Sequence, residues 1–188
     1  MRESKLTRPS LNLIDELPIA LMIERIHPLI VKTIVWSDEA ATLAFAQRLA
    51  SRPAICNAMV EMSGDLGVGK TTFVRYLLTA LGVQGRVKSP TYAVVEPYTL
   101  PAPSGRNQTL DIWHFDFYRF EDPREWEDAG FRDIFASPGL KLIEWPEKAG
   151  AYLPQPDLRV AIEIGDGSSR QVVLGAYTSQ GAELIENC

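Results

Sequence analysis

Three glycines, a lysine and two threonines fall close together in Gly64-Asp65-Leu66-Gly67-Val68-Gly69-Lys70-Thr71-Thr72. Their spacing fits G-x-x-x-x-G-K-[ST], the loop that cradles the phosphates of a nucleoside triphosphate. Glycine lets the main chain turn tightly and bring its N–H groups up to an anion. The ammonium of Lys70 reaches the β- and γ-phosphates, and the hydroxyl of Thr71 ligates magnesium. The whole run from Gly64 to Thr72, with Asp65, Leu66, Val68 and Thr72 as its other members, is therefore expected to bind ATP or ADP with Mg2+. The alternative is an ordinary glycine-rich turn, and what stands on either side decides between the two.

A phosphate loop that turns over its nucleotide also needs an acid on the metal side and a group that places the attacking water. Two carboxylates end hydrophobic stretches. Asp116 lies in His114-Phe115-Asp116-Phe117-Tyr118-Arg119, and Glu144 lies in Leu142-Ile143-Glu144-Trp145-Pro146-Glu147. Glu144 has the form of a magnesium-side acid, an apolar strand closed by one carboxylate; otherwise it caps the helix starting at Pro146. Asp116 is the second catalytic candidate, with pairing to Arg119 or a plain hairpin role as the alternative. Ser89 and Thr91 in Ser89-Pro90-Thr91-Tyr92 offer hydroxyls that could meet the γ-phosphate or the metal, as switch loops do, or could simply make a turn around Pro90. Trp145 stacks near the nucleotide or packs into the core. His114 alternates with Asp116, shares its sheet face, and fits a hydrogen-bonding role better than a catalytic one.

These residues need elements to carry them. Ala58 to Met62 reads as a short strand and Lys70 to Leu81 as a helix, with Phe73, Tyr76, Leu77 and Leu81 on one face. The helix N-terminus adds partial positive charge beneath the phosphates, so the flanks favour the phosphate loop. Ile30 to Trp36 reads as a strand. Ser37 is the expected N-cap of a helix from Asp38 to about Ser51. Gly82 stands where a helix-terminating glycine belongs. Tyr92 to Tyr98 and Thr109 to Tyr118 form an expected antiparallel hairpin, with Thr99 to Gln108 as its long exposed tip. Asp122 and Pro123 open a helical piece around Trp126, and Phe131 to Ala136 makes another turn. Leu140 to Ile143 is a buried strand leading to Glu144, and Pro146 starts a short helix. Leu158 to Ile164 and Gln171 to Tyr177 form a second hairpin across Gly165-Asp166-Gly167.

The 188 residues are 46% hydrophobic and 23% charged, the profile of a folded chain with a full core. A net charge of −5 argues against gripping nucleic acid unaided, because phosphate backbones call for a basic face. The two cysteines, Cys56 and Cys188, make no disulfide or metal framework. The apolar run from Leu17 to Ile23 is too short to span a bilayer, and Asp15 and Glu16 before it make it a poor signal peptide. The chain therefore reads as cytoplasmic. Residues 1–29 read as an extension, loose to Ser10 and then a short helix or an ordered stretch, and 30–188 as one domain.

Taken in order, Gly-Asp-Leu-Gly-x-Gly-Lys-Thr-Thr, Ser-Pro-Thr-Tyr, His-x-Asp-x-Tyr-Arg and Ile-Glu-Trp-Pro-Glu resemble the TsaE family, the P-loop ATPases of bacterial tRNA threonylcarbamoyladenosine synthesis. The resemblance runs from about Ile34 to about Ile164. It implies an α/β, P-loop NTPase-like three-layer domain with a mixed parallel and antiparallel central sheet. It implies ATP or ADP with Mg2+ as cofactors and the TsaB–TsaD pair as partner, with tRNA engaged through that pair. TsaD makes the transfer to the adenosine beside the anticodon; a TsaE-like protein binds the pair and hydrolyses ATP. By position the resemblance gives Lys70 to phosphate, Thr71 and Glu144 to magnesium, Thr91 to the switch-like loop, Asp116 to water positioning, and Trp145 to the nucleotide's surroundings. Glu61 departs from the family's more apolar strand. Two other functions remain open: a small-molecule kinase, for which only Arg124 and Arg132 could furnish a lid, and a nucleotide-dependent adaptor with little turnover.

Overall fold

The computed structural model describes residues 27–101 and 109–186. The expectations for residues 1–26, for most of the hairpin tip and for Cys188 lie outside the described residues. Seven strands form one sheet: β1 (Ile30–Trp36), β2 (Met59–Ser63), β3 (Val95–Pro101), β4 (Thr109–Asp116), β5 (Leu140–Glu144), β6 (Leu158–Ile164) and β7 (Arg170–Ala176), in spatial order β1-β7-β6-β2-β5-β4-β3. Parallel pairing joins β6, β2, β5 and β4, while β1, β7 and β3 pair antiparallel at the flanks. The mixed sheet is thus the one expected.

The centre is covered on both faces, and its strands read accordingly. All five residues of β5 are buried, as are four of the five in β2, the pattern of strands with helices above and below. Alternation along the strands sends side chains into two cores. Val60, Met62, Ile112, Leu142 and Val160 face α1 (Glu39–Ala50) and α2 (Lys70–Leu81), where Trp36, Phe45 and Phe73 pack together. Phe115 and Ile143 face the other way, against Phe117, Phe131 and Trp126 from the segment holding α3 (Glu125–Asp128), α4 (Arg132–Ala136) and α5 (Pro146–Ala149). Helices on both faces of the sheet complete the three layers.

Some boundaries differ from those read in the sequence. Asp38, not Ser37, caps α1: its backbone is extended and its Oδ1 accepts the Ala41 N–H at 2.8 Å. A carboxylate there both satisfies an orphan amide and meets the helix dipole. The buried face of α2 is Phe73, Val74, Leu77 and Leu78, with Tyr76 and Leu81 at its margin. Gly82 ends the helix in the left-handed region, as expected. β3 begins at Val95 because Val94, at φ 67°, turns the chain and donates its N–H to Pro90 O at 2.6 Å. The hairpin pairing of β3 with β4 is as expected, but β3 runs on to Pro101. A last helix, α6 (Ser179–Leu184), has Thr178 as its cap. Its Gly181 packs so tightly that an added Cβ would lie 1.8 Å from Asp157 O. Among the described residues, no helix is long and apolar enough to cross a membrane.

Candidate nucleotide site

The site lies where the parallel strands end. β2 stops at Ser63 and α2 starts at Lys70, so the glycine loop spans 64–69 at the carboxyl edge of the sheet, the edge at which open α/β sheets bind ligands. Gly64 sits at φ 127°, and a Cβ there would come within 2.1 Å of Ile162 O. Only glycine satisfies both constraints. Gly69 caps α2 at φ 114°, also in the left-handed region, and so aims the first amides of a twelve-residue helix outward. Val68 is buried and its carbonyl accepts from Arg170 Nε at 2.7 Å, which ties the loop to β7.

Beside this loop is a cleft of about 320 Å³. Leu66, Gly67, Gly69, Lys70, Thr71 and Thr72 line one side; Thr91, Asp116, Glu144 and Trp145 line the other. Gly64, Asp65 and Val68 do not face the cleft but shape the loop behind it. Lys70 is only 4% exposed. Its Nζ donates to Gly64 O at 2.5 Å and Asp65 O at 2.8 Å, and lies 3.7 Å from the centre of the Trp145 ring, a close cation–π contact. Burial pushes the Lys70 pKa down, and Glu144, Glu147, Asp116 and Asp65 push it back up, leaving it below the ordinary lysine range.

Glu144 and Asp116 are register partners on β5 and β4, and both side chains are buried on the α2 face. Glu144 Oε2 accepts from Thr71 Oγ1 at 2.7 Å, and its Oε1 lies 2.8 Å from His114 Nε2. Glu144 does not cap the helix at Pro146, for which no side-chain cap bond forms. Asp116 Oδ2 accepts from Thr91 Oγ1 at 2.6 Å and from Ser89 Oγ, while Oδ1 accepts the Tyr118 N–H at 3.0 Å. Ser89 and Thr91 hydroxyls are themselves 2.6 Å apart. Arg119 is not the partner of Asp116; its guanidinium stacks 4.3 Å from the Tyr92 ring centre.

Trp145 takes φ 59°, and Val94 is the other non-glycine residue with positive φ among those described. Such backbones cost about 1–3 kcal/mol each and persist where surrounding contacts force them. Each stands beside one of the carboxylates: Trp145 follows Glu144, and Val94 O accepts the Asp116 N–H at 2.9 Å. Trp145 lies against Tyr118, with ring centres 5.0 Å apart. Tyr118, which also lines the cleft, is absent from the candidates read in the sequence; its place two residues after Asp116 is the signal that could have found it. Of the other tryptophans, Trp36 and Trp126 are buried, and Trp113 is half-buried.

The chemistry of the donors fits magnesium. Thr71 and Glu144 offer two hard oxygens 2.7 Å apart, and Mg2+ takes one or two protein oxygens, completing its shell with phosphate and water. Among the described residues, no group of three or more His, Cys, Asp or Glu could form an all-protein cage. Cys56 is a free thiol, its pKa raised by burial.

A family model described as "Threonylcarbamoyl adenosine biosynthesis protein TsaE" matches residues 36–172, a span that holds every residue of the cleft. The tRNA threonylcarbamoyladenosine biosynthesis protein TsaE of Haemophilus influenzae is 45% identical over 127 residues, covering 68% of this chain and 75% of its own length. The Bacillus subtilis protein of the same name is 32% identical over 128 residues, with the same coverage. The crystal structure of Bacillus subtilis YdiB superposes with a TM-score of 0.62 at 25% identity, covering 82% of this chain and 93% of that one.

Proposed function

This chain belongs to the TsaE family, and from that premise we propose that it is the ATP-hydrolysing subunit of tRNA threonylcarbamoyladenosine biosynthesis. In this reading it binds ATP with Mg2+ and acts on the TsaB–TsaD pair, which in turn engages the tRNA. The observation that carries the reading is the meeting of Lys70, Thr71 and Glu144, from α2 and β5, across one cleft.

The main-chain amides that open α2 receive phosphate oxygens, and Lys70 swings from the loop carbonyls onto the β- and γ-phosphates. Thr71 and Glu144 would hold the metal, which when bound would supply positive charge to offset that of the phosphates. Asp116 stands at the γ-phosphate end. There it orients water and ties the Ser89–Thr91 loop to the state of the nucleotide. Trp145 and Tyr118 form an apolar wall that shields the reacting end from bulk water.

A kinase lid has little support. Arg124 is paired with Asp122 and Arg132 with Glu127, each on its own exposed segment. The decisive experiment is ATP turnover by the purified chain, alone and with TsaB–TsaD. Slow hydrolysis that rises on adding the pair is expected. Phosphorylation of a metabolite without partners would favour a kinase, and equal rescue of cells by Lys70→Ala and wild type would eliminate both hydrolysis-based readings.

A further inference from the structure

His114 is fully buried, and among the described residues only its ring Nε2 has a hydrogen-bond partner, Glu144 Oε1 at 2.8 Å. Its Nδ1 is buried with no hydrogen-bond partner among the described residues. Glu144 Oε2 already accepts from Thr71 Oγ1, so the carboxylate presents acceptors on both sides and the imidazole must donate through Nε2. A hydrogen on Nδ1 would be a buried donor with nothing to receive it, which is costly; a bare lone pair there is the lesser loss. Both rules select one tautomer.

From this we propose that His114 is a positioning residue for Glu144: a one-ended donor, fixed as the Nε2–H tautomer, that pins Oε1 and so turns Oε2 toward Thr71 and the metal. It is not an acid or a base in the reaction. Outer partners of this kind set the orientation of metal-binding groups. The inference rests on the reading of Glu144 as the magnesium-side acid.

Two near-isosteres separate this role from simple core filling. Glutamine places its amide nitrogen where Nε2 stands; asparagine places its nitrogen where Nδ1 stands. The measurement is ADP affinity by calorimetry across a Mg2+ series, with Mn2+ resonance as a second probe. His114→Asn is expected to raise the metal concentration for half-maximal effect by about 10–100-fold, with metal-free ADP binding unchanged. His114→Gln is expected to stay near wild type. Equal behaviour of the two variants, whether both intact or both impaired, would overturn the inference. If wild type itself shows no Mg2+ dependence, the metal reading fails and takes this inference with it, an outcome distinct from a dependence that both variants share. Should either variant not fold, nitrogen NMR of the wild-type rings decides. The chain has two histidines, His27 and His114, and His27→Gln assigns them. A proton on His114 Nε2 with Nδ1 bare is expected; a proton on Nδ1 contradicts the proposal.

Discussion

Lys70 is a cation closed off from solvent, stacked on Trp145 and bonded to two carbonyls of its own loop. It is therefore prepaid in desolvation: in the proposed reading, the ammonium would meet phosphate without first shedding water. Lys70→Ala is expected to weaken ADP binding by at least about 10-fold, the loss of a charge-assisted hydrogen bond or more, read by calorimetry. Unchanged affinity would contradict the role given to Lys70. Glu144→Ala is expected to behave differently, cutting Mg2+-dependent turnover about 100-fold while leaving metal-free ADP affinity close to wild type. Steady-state rates and calorimetry on one preparation distinguish the two. The glycines, Lys70 and Thr71 were readable in the sequence because each task admits few residue types at fixed short spacing. The partners of the two acids were not. Thr71 and Glu144 are 73 positions apart, and Thr91 and Asp116 are 25; only the sheet brings them together.

Among the elements, the stretch from Ser89 to Val94 is held at its start by hydroxyls on Asp116 and at its end by the strained turn at Val94. Asp116→Ala removes the acceptor for Ser89, Thr91 and the Tyr118 N–H together. Amide hydrogen exchange over residues 91–94 is then expected to quicken by at least about 10-fold, as local opening loses one to two kcal/mol of cost, while β2 and β5 keep their protection. Exchange that is unaltered in this stretch would show that Asp116 does not hold it. Apolar periodicity gave the central strands well: β6 spans Leu158–Ile164 as read, and β5 closes on Glu144. It failed where one backbone angle decides. Tyr92 to Val94 have strand-like side chains, yet the positive φ at Val94 delays β3 to Val95. Helix α6 was not readable either, since Gly181 looks like a breaker until its close approach to Asp157 is seen.

At the scale of the whole molecule, parallel strands at the centre bring the loop after β2 and the acids ending β4 and β5 to one edge, and the flanking antiparallel strands brace them. Glu61, the polar interruption in β2, pairs with its register neighbour Arg159 on β6 at 2.6 Å. Burial raises the Glu61 pKa, and the Arg159 guanidinium only partly offsets it. A carboxyl raised in the folded state favours folding most at acid pH and loses that advantage as pH rises through its folded pKa. Arg159→Leu strands the buried carboxylate, so it is expected to cost about 3 kcal/mol at pH 8. The cost should shrink toward pH 5 as a proton takes the place of the arginine. Urea unfolding at both values reads this, and a loss independent of pH would contradict it. A larger cavity, about 780 Å³ and lined by Cys56, Asp111 and Trp113, opens at the amino ends of β4 and β5, away from the loop. It gives a concrete rival location for a ligand, so the most direct test is a crystal structure with ADP and Mg2+. The phosphates are expected on the amides between Gly67 and Thr71, with the metal on Thr71 Oγ1 facing Glu144. Nucleotide density in the larger cavity, with none beside Lys70, would contradict the account.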